Sequence, residues 1–125
     1  MEQLVIHGGA GVLEGKAGEA RKVHESLCLI WQETFDTLRK GSAEVAVRHG
    51  IRMLEDEPVY NAGTGSKLQA DGQVRMSAAL MDGTNNRFSG VINVQNIRNP
   101  IEAAASLSGE KHSVLSADQA TEFCR

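Results

Sequence analysis

Two runs of small residues, each beside an apolar segment, set the tightest limits on how this chain can fold: Ile6-His7-Gly8-Gly9-Ala10-Gly11 and Pro58-Val59-Tyr60-Asn61-Ala62-Gly63-Thr64-Gly65-Ser66. Glycine turns the backbone through conformations closed to other residues and leaves no Cβ in the way of a neighbour. Such runs weaken helix and strand interiors alike. Both are therefore read as loops whose backbone can come close to a ligand or a catalytic group.

Regular elements are expected between these loops. Leu4-Val5-Ile6, closed by glycines, reads as a short buried strand. Gly8 to Gly18 holds five of the 13 glycines and reads as loop. From about Ala20 to Lys40, Val23, Leu27, Ile30, Trp31, Phe35 and Leu38 recur at three- and four-residue steps, the stripe of a long amphipathic helix that Gly41 can close. Ser42 caps a second helix with Val47, Ile51 and Leu54 on one face, ended by Glu55-Asp56-Glu57 and Pro58. Gln73 to Met81 and Arg87 to Val94 form an expected antiparallel hairpin around the turn Asp82-Gly83-Thr84-Asn85-Asn86. Asn99, Pro100 and Glu102 mark the start of a third helix, and Ser116 with Gln119 that of a fourth. The order strand, two helices, hairpin, helix, strand, helix suits an α+β sheet covered by helices, with residues 1–125 as a single partial domain.

Composition narrows the function classes. The formal net charge is −3 and no basic tract exceeds two residues, which excludes the footprint of a nucleic-acid binder. The aromatics, Trp31, Phe35, Tyr60, Phe88 and Phe123, are too few and scattered for a base-stacking platform. Cys28 and Cys124, about 95 residues apart, form no CxxC pair and read as idle or buried thiols of a reducing compartment. MEQLVIHGG lacks the basic start and apolar run of a signal peptide, and nothing approaches the ~18 apolar residues of a membrane span. A soluble cytoplasmic protein is the expectation, with a small-molecule substrate and neither nucleic acid nor membrane as partner.

Several chemistries fail on spacing. Gly11-Val12-Leu13-Glu14-Gly15-Lys16-Ala17 is one residue short of a phosphate loop and has alanine where a hydroxyl should meet magnesium. Gly63-Thr64-Gly65 lacks the third glycine of a dinucleotide fingerprint and follows a helix. His7, His24, His49 and His112 form no H-x-H or H-x-x-x-H pair, and His24 and His49 read as exposed helix positions. Ser66 has no G-x-S-x-G elbow, and Asp71 and Asp82 before glycines read as turn residues. Two readings stay open for Glu55-Asp56-Glu57. They form a solvated acidic face, or the carbonyls freed at the helix end turn inward to hold a hard monovalent cation.

Four segments, in order, resemble the plant-type L-asparaginase/isoaspartyl peptidase family, threonine N-terminal-nucleophile hydrolases. They are Ile6–Gly11, Leu54-Glu55-Asp56-Glu57-Pro58-Val59-Tyr60-Asn61-Ala62-Gly63-Thr64-Gly65, Ala79-Leu80-Met81-Asp82-Gly83 and Ile97-Arg98-Asn99-Pro100-Ile101. The resemblance implies the α-subunit half of a four-layer αββα sandwich. It also implies a precursor that cleaves itself, and a β subunit carrying the nucleophilic threonine in a heterodimer that pairs as (αβ)2. It implies hydrolysis of β-aspartyl isopeptide bonds or of the side-chain amide of L-asparagine, with no cofactor for catalysis.

On the same resemblance, Asn61 lies beside the nucleophile, Gly8, Gly9 and Gly11 line the site, and the carbonyls of Leu54, Glu55, Glu57, Tyr60, Ala62 and Thr64 hold a structural sodium ion. None of Thr34, Thr37, Thr64, Thr84 and Thr121 stands in the family's G-T-V-G-A cleavage context, so no catalytic nucleophile is expected in this chain. Two departures stand out: Ser77-Ala78 replaces an expected Asp-Ala, and Ser89-Gly90-Val91 an expected Gly-Ala-Val. Ser77 removes a carboxylate, which bears on substrate preference. The alternative reading is a catalytically incomplete orphan domain with a structural, ligand-binding or interaction role.

Overall fold

A computed structural model describes residues 1–10 and 17–124. The chain forms two compact units, Met1–Leu54 and Glu55–Arg125.

In the first unit, α1 (Ala17–Lys40) carries the expected stripe. Ile30 and Thr34 are buried on it, while Trp31 stays 41% exposed and stacks on Phe35 with ring centroids 4.9 Å apart. The second helix, α2 (Ala43–Asp56), begins as the sequence predicts, with the Ser42 hydroxyl accepting the Val45 N–H at 3.3 Å. Its buried face is only partly the predicted one, since Leu54 is buried and Ile51 half-buried as expected while Val47 is not. Ala46, Gly50 and Leu54 turn inward at four-residue steps, and Val47 is 41% exposed. The reason is close packing: a Cβ at Gly50 would stand 2.7 Å from Thr34 Oγ1, so only the small-residue face lets α2 approach α1 there.

Leu4-Val5-Ile6 is not a strand. The segment has no ladder partner among the described residues, and Val5 is exposed. Without a neighbouring strand its backbone groups have no sheet to join. One of them, the Leu4 carbonyl, instead accepts the Trp31 indole N–H at 3.2 Å.

The second unit opens with the last residues of α2. It continues through a one-turn 3₁₀ segment, Gly63–Gly65, to β1 (Met76–Asp82), β2 (Arg87–Val94), α3 (Pro100–Ser106), β3 (Val114–Ser116) and α4 (Ala117–Phe123). The sheet order is β1-β2-β3, with β1 antiparallel and β3 parallel to β2. The hairpin turn is the predicted one. Asp82 Oδ1 accepts the Thr84 and Asn85 N–H groups, Asp82 Oδ2 accepts the Asn85 amide, and Asn86 takes φ 50°. These bonds, the Asn85 side chain first, hold the Asp82 carboxyl below its usual range. Asp71 is likewise a turn residue, lowered chiefly by Arg75 at 2.8 Å, with Oδ1 accepting the Gln73 N–H.

Val91, Val94, Ala103, Ala104, Leu107 and Ala120 form the core of this unit, where α3 and α4 meet one face of the sheet. The other face carries Ala79, Met81, Phe88, Ile92 and Val114, all exposed. A bulge between Met76 and Ala78 breaks the ladder opposite Asn93, whose φ is 55° and whose N–H is taken by the Ser77 hydroxyl at 3.2 Å.

Candidate functional site

The segment from the end of α2 to Ser66 is built from converging carbonyls. A Cβ on Gly63, where φ is 48°, would collide with the Glu55 carbonyl oxygen. One on Gly65 would collide with the carbonyl oxygens of both Tyr60 and Pro58. The two glycines are there because three carbonyls turn onto the 3₁₀ turn and leave no room for a side chain. Further turn bonds run from the Tyr60 N–H to the Glu57 carbonyl at 3.3 Å and from the Gly65 N–H to the Ala62 carbonyl at 3.0 Å. Tyr60 is buried, and Thr64 is exposed on the turn.

Asn61 is held by its own loop, with Oδ1 accepting the Lys67 N–H at 2.9 Å. Leu54 is buried at the end of the first unit. Gly8 and Gly9 belong to that unit as well. Gly9 takes φ 116° and gives its N–H to His7 Nδ1 at 3.1 Å, while Gly11 lies outside the described residues.

Glu55 overturns the reading of a solvated acidic face. Its side chain is 4% exposed, and Oε1 accepts the Ile101 N–H at 3.0 Å, while Oε2 is buried and meets no donor. Burial pushes its pKa from 4.5 up to about 7; the Ile101 N–H and the Asn99 amide pull the other way, and the charges of Asp56 and Glu102 add to the rise. Asp56 is exposed and accepts from Arg98 Nε at 3.0 Å and Asn99 Nδ2 at 3.1 Å.

The predicted caps of the short helices therefore need correcting. Asn99 makes no side-chain cap bond to α3; its Nδ2 donates to Asp56, and Glu55 Oε1 is the side-chain acceptor at this helix start, taking the Ile101 N–H. Ser116 makes none to α4. The acidic end of α2 and the Arg98-Asn99-Pro100 helix start, read separately in the sequence, are one hydrogen-bonded junction. The Pro58 carbonyl, outside the six carbonyls the resemblance implies, also packs against Gly65.

Among the described residues no three His, Cys, Asp or Glu side chains gather into a metal centre, and no helix is long and apolar enough to cross a membrane. An open cleft of about 300 Å³ lies at the end of the hairpin away from the turn, lined by Gln73, Val74, Met76, Gln95, Asn96 and Ile97. It holds no titratable side chain. The hydroxyls of Thr34, Thr37 and Thr121 all bond back to helix carbonyls four residues earlier, which is a structural use.

Glycine turns packed by carbonyls, a buried carboxylate clamping a distant helix and an anchored asparagine coincide with a family-wide match. The family model described as Asparaginase matches residues 1–125, and the chain belongs to that family. It is 50% identical over 125 residues to an isoaspartyl peptidase/L-asparaginase of a Nostoc species, covering 98% of this chain and 39% of that protein. It is 52% identical over 124 residues to an isoaspartyl peptidase/L-asparaginase of a Synechocystis species, covering 98% and 37%. It is 36% identical over 129 residues to a plant-type L-asparaginase of Pyrococcus horikoshii, covering 100% and 41%. The chain thus spans about two fifths of the length of these curated relatives, at their N-terminal portion.

Proposed function

We propose that this chain is the α portion of an isoaspartyl peptidase/L-asparaginase, which hydrolyses β-aspartyl isopeptide bonds or the side-chain amide of L-asparagine once joined to a β portion. The observation that carries the reading is identity of 50% and 52% to two such enzymes across 98% of this chain, while matching only 39% and 37% of theirs. The β portion supplies a threonine freed by self-cleavage. Its hydroxyl attacks the amide carbonyl while its own α-amine takes the proton, so nucleophile and base arrive on one residue. The reaction then needs donors aimed at the oxyanion and at the attacking oxygen.

In this reading Asn61 is the contribution of the second unit. The Lys67 N–H anchors its Oδ1, which orients Nδ2 as the donor toward the nucleophile. Gly8, Gly9 and Gly11 are assigned, independently, as lining backbone. A sodium ion is assigned to the other end of the loop; what supports it is that the Glu55 and Tyr60 carbonyls turn toward the glycine turn and that those of Glu57 and Ala62 keep a second lone pair beyond their turn bonds. Thr64 is the remaining donor assigned within this unit; Leu54, also named by the resemblance, belongs to the first unit. The role of such an ion is to hold the loop that carries Asn61. The exposed apolar face of the sheet is assigned to a second sheet from the β portion, which would complete the αββα sandwich.

The test is direct. Purified residues 1–125 should release no ammonia from L-asparagine or aspartate from β-aspartyl dipeptides. Material from the longer reading frame should contain, by mass spectrometry, a companion fragment beginning with threonine, and should be active. Activity of residues 1–125 alone, at the rate of the paired fragments, would sink the assignment.

A further inference from the structure

Two metal-ligating side chains that the histidine spacing left apart meet on α1. His24 and Cys28 are four residues apart, so they share one face a turn from each other. Both are exposed, and Cys28 Sγ lies 3.6 Å from His24 Nε2. A tetrahedral ion with a metal–sulfur bond of ~2.3 Å and a metal–nitrogen bond of ~2.0–2.1 Å separates its two donors by about 3.6 Å. The hydrogen-bonded pair therefore already stands at the donor separation such an ion requires, on an exposed stretch of α1. The other thiol offers no such arrangement: Cys124 is half-buried, and burial pushes its pKa up, which disfavours the thiolate that binds metal.

We propose that His24 Nε2 and Cys28 Sγ form a two-donor site for a borderline-soft divalent ion of the zinc class, with solvent filling the remaining positions. Binding releases the Cys28 thiol proton to solvent. The thiolate and the neutral imidazole then each donate an electron pair, with no change of oxidation state. Imidazole and thiolate together select zinc-class ions over magnesium or calcium, which prefer oxygen. The site is independent of the hydrolase reading and uses none of its residues.

Cobalt(II) is the probe, because thiolate ligation gives it a sulfur-to-metal charge-transfer band in the near ultraviolet. Titration of the full chain under a phosphine reductant should develop that band at one equivalent, and zinc should bleach it. Zinc should also protect Cys28, and not Cys124, from iodoacetamide, read by peptide mass mapping. Cys28→Ser should abolish the band, Cys124→Ser should leave it, and His24→Ala should move its midpoint to about tenfold higher cobalt. Far-ultraviolet circular dichroism checks that each variant keeps its helices. A folded chain with no band, a band surviving Cys28→Ser, or an unchanged midpoint in His24→Ala would each overturn the proposal.

Discussion

At Glu55 a single carboxyl group carries two obligations. Its Oε1 caps α3 through the Ile101 N–H, while its burial raises its pKa to about 7 from 4.5. The folded state thus binds this proton more tightly than the unfolded state does. The favourable contribution is full below about pH 4.5 and is lost as pH rises through about 7, so stability falls across that window and levels off above it. The span is at most about 3 kcal/mol. Glu55→Gln keeps an acceptor for Ile101 and removes the charge. It should flatten the slope between pH 5 and 7 in urea titrations, and should match or exceed the parent at pH 8; an unchanged slope would contradict the assignment of that proton to Glu55. Gly65 is constrained differently, because a methyl group there meets the Tyr60 and Pro58 carbonyls, which are backbone and cannot rotate away. Gly65→Ala should cost about 2 kcal/mol or more, and should open the loop to limited proteolysis between residues 57 and 67.

Between elements, the closest approach in the first unit is Thr34 of α1 against Gly50 of α2. Gly50→Ala would gain helix propensity of about 1 kcal/mol on an open surface. Here its Cβ would stand 2.7 Å from Thr34 Oγ1 and 3.0 Å from Cγ2, on a side chain that is 1% exposed and fixed by a 2.6 Å bond to the Ile30 carbonyl. The expected net effect is a loss of about 1–3 kcal/mol. Adding Thr34→Ala should recover part of it, a coupling that a double-mutant cycle measures; additive effects would show that the two helices do not meet there. This crossing also explains why the hydrophobic pattern of α2 found Leu54 but passed over Ala46 and Gly50. Periodicity ranks Val47 and Ile51 above Ala46 and Gly50, whereas a tight helix crossing selects for small volume. The hairpin turn was legible because it is local: Asp82 finds its partners within three residues, whereas β1 begins at Met76, three residues after the expected start.

On the scale of the whole molecule, the sheet presents Met81 and Phe88 as a cross-strand pair, 56% and 52% exposed, beside Ile92 and Val114. An apolar surface of this kind on an isolated chain favours association. The 125-residue chain should therefore self-associate by gel filtration, and Met81→Lys with Phe88→Glu should shift it toward monomer while leaving the hairpin intact by circular dichroism. A parent chain that stays monomeric at high concentration would argue against the second sheet proposed to cover this face. Local rules in the sequence were enough for α1, the start of α2, the hairpin and the order of the later elements. Helix stripes, the Ser42 cap and Asx turns are set by residues within about one turn of each other. Tertiary structure alone could assign the rest. Glu55 caps a helix 46 residues away, Asp56 pairs with Arg98, and Leu4-Val5-Ile6 joins no sheet among the described residues. Burial and pairing depend on which distant segments arrive at a side chain, and no local pattern of the chain encodes that arrival.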